Sequence, residues 1–243
     1  TNTRRAVPAI WSGSWSEPLE INEPACNGAK TYQATAPTVF EYFRKHKDRP
    51  ATDCVYVLGD VNCPWQFSKL GGYGTEYWPE LVQDGQTDVE RWQIARNILM
   101  ELHPSFLLLY LPDVDHGGHS GDWGEYTRAI STADTIVRSL WDTLQADPIY
   151  AGKTTVIVTN DHGRHNDRTD RPHNGFQGHG DGCDGCRRIH LLMVGPDTRR
   201  AHVSTIPRTI PDIAPTVGFL LGFPTEQATG EPMLELLLDR RTQ

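Results

Sequence analysis

Four short apolar runs punctuate the chain: Cys54–Leu58, Phe106–Leu111, Thr154–Thr159 and Ile189–Val194. The last three are continuous and partly β-branched, the pattern of strands buried on both faces of a parallel sheet. Between them the period changes to that of a helix. Trp92, Ala95, Leu99 and Leu102 fall three and four apart, and Tyr126, Ile130, Ala133, Val137, Leu140 and Leu144 sustain the same stripe. A shorter helix is predicted over 37–47, with Pro37 in its first turn. Strands alternating with helices predict an α/β fold: a largely parallel central sheet with helices on both faces, in one domain over residues 1–243. The segment from Val61 to Gln86, rich in Gly, Pro, Trp and Tyr, interrupts this rhythm and reads as a long irregular surface excursion, a kind of segment that is often functional.

Composition narrows the functional classes. The 243 residues suffice for a real core, and no run of 18 apolar residues is present to span a membrane. A net charge of −8 argues against a broad basic face for nucleic acid. A small anion stays compatible, because a bound metal inverts the local field. Among five cysteines, Cys183 and Cys186 form a C-x-x-C, while Cys26, Cys54 and Cys63 lie apart. One such pair reads slightly better as a local disulfide than as a zinc site, which usually uses a second pair. Cysteine usage does not fix the compartment, and a secreted or periplasmic setting is only mildly preferred.

The polar residues beside the strands carry the chemistry. Ligands of open parallel sheets gather outside the carboxyl ends of strands. Phe106–Leu111 is followed by Pro112-Asp113-Val114-Asp115-His116-Gly117-Gly118-His119, and Thr154–Thr159 by Asn160-Asp161-His162-Gly163. Gly178-His179-Gly180-Asp181 precedes Ile189–Val194, and seven of ten histidines lie between His116 and His190. Mixed imidazole and carboxylate donors suit zinc first, with manganese or iron as alternatives. Asp115 and His119, four apart on a glycine-containing turn, can face one ion. Asp161 and His162 are adjacent, so on an extended chain they point opposite ways. Each cluster alone reads as a turn or a satisfied histidine; three together do not.

These motifs resemble the alkaline phosphatase superfamily, which includes nucleotide pyrophosphatases/phosphodiesterases, phosphoglycerate mutases and sulfatases. Asp115-His116-Gly117-Gly118-His119 is similar to the family's D-x-x-G-H, and Thr159-Asn160-Asp161-His162-Gly163 to its T-x-D-H-G. His179-Gly180 ahead of Gly195-Pro196 resembles its late H-G…G-P, and Asp212-Ile213-Ala214-Pro215-Thr216 with Leu221-Gly222-Phe223-Pro224 its C-terminal helix. The resemblance implies two divalent metal ions, one held by Asp115, His119 and His179, the other by Asp161 and His162 with a nucleophile and a further Asp. It places the nucleophile at Thr3, ten residues before Gly13, with Thr1 as the competitor. Thr3 also reads as a helix N-cap. Arg4 and Arg5 could grip phosphate, although surface arginines are the commoner outcome.

The family's metal-binding Asp lies on a strand upstream of the nucleophile. Here Thr3 has only two residues before it, and Asp60 falls after the nucleophile helix. The expectation is that one central strand and one ligand lie outside this sequence. The implied activity is hydrolysis of a small phosphate mono- or diester, or a phosphonate, through Thr3 between two metals. A sulfatase-like sulfuric ester hydrolase is the first alternative, disfavoured because position 3 is not Cys and because His119 and His179 favour zinc-like ions over calcium. A non-catalytic metal-binding relative is the second. Trp65, Tyr73, Tyr77 and Trp78 could stack on a flat leaving group or simply pack the loop.

Overall fold

The computed structural model describes residues 2–22, 30–61, 65–166 and 175–238; Thr1, Cys26 and Cys63 lie outside them. In chain order the elements are α1 (Thr3–Ser12), β1 (Leu19–Asn22), β2 (Lys30–Gln33), α2 (Val39–Lys47), β3 (Cys54–Val57), β4 (Glu80–Val82), α3 (Asp88–Leu102), β5 (Phe106–Leu109), α4 (Asp113–Ser120), α5 (Trp123–Ala146), β6 (Val156–Thr159), α6 (Asp184–Arg187), β7 (Leu191–Val194) and α7 (Ile213–Leu221). The order β4-β3-β5 forms a parallel three-stranded sheet, with Val55 opposite Glu80 on one side and Leu107 on the other.

Strand alternation sorts β3 between two cores. Cys54, Tyr56 and Leu58 face a layer built by Trp11 of α1, Phe40 and Phe43 of α2, Phe67 and Ala214 of α7. Val55 and Val57 face Trp92, Ala95 and Leu99 of α3 and Ile136 and Leu144 of α5. β3 is wholly buried, as its unbroken apolar run requires. The mixed α/β class with helices on both faces is thus the observed one.

Several local expectations change. β7 pairs with β6 antiparallel, Val156 opposite Val194 and Thr159 opposite Leu191. A parallel return needs a crossover element spanning the sheet. Among the described residues between them, the only α-helix is α6, a single turn, so the chain re-enters in the opposite direction. α2 begins at Val39, so Pro37 lies before it rather than in its first turn, and Thr38 is the N-cap, its N–H donating to Glu41. On α5 the buried stripe centres on Ile136 and Leu144, while Ile130 is 43% exposed. The 65–86 segment is not merely irregular surface. It supplies β4 and sends Phe67 into the core, where its ring centroid lies 5.3 Å from that of Trp11. Trp65 packs on Trp11 and Tyr110, Trp78 on Phe67, and Tyr73 on Tyr42, which makes these three part of the packing.

Candidate metal centre

Asp115 and His119 sit on a helix, α4, rather than on an open turn. Two central glycines disfavour helix locally, but close packing demands them. A Cβ on Gly118 would fall 2.1 Å from the Arg164 guanidinium, and one on Gly117 would press on the backbone of Tyr126 in α5. The i,i+4 spacing then stacks Asp115 and His119 on one face, with His119 Nε2 3.4 Å from the carboxylate. His179 arrives from the loop before α6, its Nε2 3.0 Å from His119 Nε2 and 3.4 Å from Asp115. One donor atom from each of the three lies within 4.8 Å of the others.

The second group forms on the exit from β6. The backbone turns after Asp161, so Asp161 and His162 do not diverge: His162 Nε2 lies 3.4 Å from Asp161 Oδ2. Thr3, on the first turn of α1, reaches them across the chain, its Oγ1 2.9 Å from His162 Nε2. Thr3 is not the N-cap; Asn2 is, accepting from the backbone N–H of Arg5. The His162 ring stacks on that of His179 with centroids 3.8 Å apart, which joins the two groups into one centre. His162 Nδ1 faces the carbonyl of Gly163 at 3.0 Å. That partner assigns the proton to Nδ1 and leaves the Nε2 lone pair facing Thr3.

Electrostatics show what the centre lacks. Burial raises the Asp161 carboxyl above its ordinary range; His162 opposes the shift and Asp115 adds to it. Asp161 Oδ2 and His179 Nδ1 are buried without a hydrogen-bond partner, an arrangement that costs free energy unless something else satisfies it. His179 is pushed down to about 4, first by burial and then by His162, so its imidazole is neutral at neutral pH, the form that ligates metals. Clustered neutral imidazole, carboxylates and unsatisfied buried polar atoms fit divalent cations.

Sequence reading missed Arg164. Its guanidinium donates to the Asp115 side chain and backbone carbonyl, and to the carbonyls of Phe176 and Gln177. It thereby ties α4 to the His179 loop. Its place three residues after Asp161 was the only sequence signal. Asp60 is exposed and bonded through its backbone N–H to the carbonyl of Gly85. Arg4 lies over the Tyr32 ring and Arg5 pairs with Glu17, both exposed.

The family model for type I phosphodiesterase / nucleotide pyrophosphatase matches residues 3–175, more than half of the chain. The chain belongs to this family. It is therefore a member of the alkaline phosphatase superfamily, and two solved structures show the corresponding fold. A Bacteroides thetaiotaomicron sulfatase from a locus for glycosaminoglycan metabolism superposes with a TM-score of 0.65 at 14% identity, over 98% of this chain and 65% of its own. A Leishmania mexicana phosphoglycerate mutase, studied at low cobalt concentration, superposes with a TM-score of 0.54 at 14% identity, over 82% of this chain and 39% of its own. This chain thus spans less than two thirds of the length of either. No curated protein sequence matches it significantly. No helix among the described residues is long and apolar enough to cross a membrane.

Proposed function

We propose that this family member is a metal-dependent hydrolase of small phosphate mono- or diesters, or phosphonates, with Thr3 as nucleophile. The observation that carries the reading is the 2.9 Å contact of Thr3 Oγ1 with His162 Nε2, between residues 159 positions apart. A threonine hydroxyl is otherwise a weak nucleophile, and here it lies beside the Nε2 through which His162 would hold the second ion. The start of α1 beside it adds positive potential where phosphoryl charge would sit. Asp115, His119 and His179 would hold one divalent ion, and Asp161, His162 and Thr3 a second. Such ions lower the pKa of a bound hydroxyl and neutralise phosphoryl charge. Zinc suits the imidazole-rich set best, with manganese or iron next.

The second site is expected to need one more carboxylate, from an Asp-bearing strand as in the superfamily. Two observations support a place for it. Among the described residues, β5 pairs with β3 alone and β6 with β7 alone. Both are apolar, yet both are only half-buried.

The test is turnover of bis-p-nitrophenyl phosphate and p-nitrophenyl phosphate by the full-length protein with zinc or manganese. Thr3→Ala should abolish turnover while metal content is retained, and Thr3→Ser should keep part of the rate. Unchanged rates in Thr3→Ala would refute the nucleophile. Activity on p-nitrophenyl sulfate alone would favour a sulfuric ester hydrolase, and no turnover with metal bound would favour a non-catalytic relative.

A further inference from the structure

A second cluster of metal-type donors lies beside the centre and takes no part in it. His165, Asp181, Cys183 and Cys186 each offer one donor atom, all within 4.8 Å of one another. His165 Nδ1 is the hub: it lies 3.4 Å from Cys183 Sγ, 3.3 Å from Cys186 Sγ and 3.4 Å from Asp181 Oδ1. A tetrahedral zinc ion with bonds of about 2.0–2.3 Å places its ligands about 3.3–3.8 Å apart. The three separations from His165 Nδ1 fall in that range. Cys183 and Cys186 are free thiols here rather than the local disulfide their spacing suggested, and the imidazole nitrogen approaches both sulfurs.

From these contacts we infer that His165, Asp181, Cys183 and Cys186 form a structural zinc site. Two sulfurs, one imidazole nitrogen and one carboxylate oxygen complete four-coordination and leave no open position, the mark of a structural rather than a catalytic ion. The surroundings suit it. Cys186 is fully buried, and the His165 side chain is 8% exposed. The Cys183 sulfur accepts the backbone N–H of Cys186, a contact that stabilises a thiolate. The His165 ring occupies space that a Cβ on Gly178 would need. Binding would displace the two thiol protons to solvent and leave both thiolates on the ion.

The site would brace the neighbouring centre. His165 follows His162 by three residues, and Asp181 follows His179 by two. Backbone bonds already staple these segments, Gly163 N–H to Cys186 O and His165 N–H to Gly178 O. A Cβ on Gly163 would fall 2.1 Å from the carbonyl oxygen of Gly185, so the two loops approach as closely as glycine allows. An ion between them would fix the stacking of His162 on His179. Only this bracing role rests on the proposed hydrolase; metal binding by the four residues does not.

The experiment removes metal from the full-length protein with a chelator and titrates it with cobalt(II) alone. A thiolate-to-cobalt charge-transfer band in the near ultraviolet is expected. It should vanish in Cys183→Ser/Cys186→Ser, whose zinc content should fall by one equivalent per chain. It should persist in His119→Ala/His179→Ala, where turnover is lost, so the two readings fail separately. Should the serine variant not fold, peptide-resolved alkylation of the unsubstituted protein decides: zinc should protect Cys183 and Cys186 from the reagent. No band, a band that survives in the serine variant, recovery of Cys183 joined to Cys186, or alkylation unaffected by zinc would each overturn the site.

Discussion

The two halves of the candidate centre solve the same problem in opposite environments. Asp115 and His119 stand half-exposed on α4, with side chains 33% and 49% accessible. Asp161 and His162 lie deeper, at 21% and 3%, under the first turn of α1. Water and Arg164 can compensate the Asp115 charge without a metal. Asp161 has weaker compensation: one of its oxygens lacks a hydrogen-bond partner and its carboxyl is raised by burial. The exposed half is therefore expected to tolerate loss of its ion structurally, whereas the buried half depends on a cation. A buried charge without a partner costs far more than an exposed one.

The largest effect that could break this comparison is on turnover. Asp115→Ala removes the carboxylate shared by His119, His179 and Arg164, and turnover should fall on the order of 10⁴-fold, about 5 kcal/mol of activation free energy. Steady-state kinetics alongside metal analysis would show it; a rate within tenfold of the parent would remove Asp115 from the centre.

Next comes the support of α4. Arg91, 2% exposed, lies between Asp88 and Asp113, at 3.4 and 3.6 Å, and Asp113 opens α4. Arg91→Met leaves the buried Asp88 carboxyl facing that of the partly exposed Asp113 without a cation between them, and should destabilise the fold by about 3 kcal/mol in urea unfolding. A loss under 1 kcal/mol would mean that α4 is held by its packing on α5 instead.

Glu41 provides a buried carboxyl that is satisfied, in contrast to Asp161. It accepts from the Thr38 N–H at 2.6 Å and touches Ser68 Oγ at 2.7 Å. Ser68 has a single hydroxyl hydrogen, and the Tyr73 carbonyl lies 3.1 Å from it. A protonated Glu41 donating to Ser68, which donates to Tyr73, satisfies every atom. Burial accordingly raises Glu41 to about 7 from 4.5. An acid with a raised folded pKa contributes its full stability below about 4.5 and loses it as pH rises through about 7. The protein should therefore lose stability between pH 5 and 8. Glu41→Gln should flatten that slope and be the more stable form at pH 8 by about 2 kcal/mol. Parallel stability profiles for parent and variant would contradict a protonated Glu41.

The smallest effect sharpens the contrast most. Asp161→Asn removes the unsatisfied buried charge, so the metal-free protein should gain about 1 kcal/mol while turnover disappears. Asp115→Asn should give no such gain. Melting curves recorded in chelator distinguish the two, and an equal response at both positions would erase the difference between the halves.

How much of this was legible varied with the range of the interaction. Apolar runs located β3, β5, β6 and β7 to within two residues at each end, because a continuous apolar run offers no polar alternation to confuse the reading, although only β3 is buried throughout. Donor types were legible as well: Asp115, His119, Asp161, His162 and His179 come together in one centre with Thr3. The state of their backbone was not. α4 contains two glycines that would oppose a helix in isolation, and only packing on α5 and Arg164 makes it one. Arg91 carried no local signal, and Arg164 only its place three residues after Asp161, since an arginine in a polar stretch is ordinarily a surface residue. C-x-x-C was ambiguous for the same reason. Its partners His165 and Asp181 are separated by fifteen residues from one another and converge only through the turn after β6.

By itself the sequence determined the alternation of strand and helix and the side-chain types available to the candidate centre, because both follow from residue identity and short-range period. The tertiary structure decided which donors meet. Thr3 and His162 are 159 residues apart, and their 2.9 Å contact exists only because the cores built on Trp11, Ala6 and Ala9 pack α1 against the sheet and α7, with the Thr3 hydroxyl reaching the exit of β6. Contacts at that separation carry no local pattern. They are selected by the packing of whole layers, which no window along the chain contains.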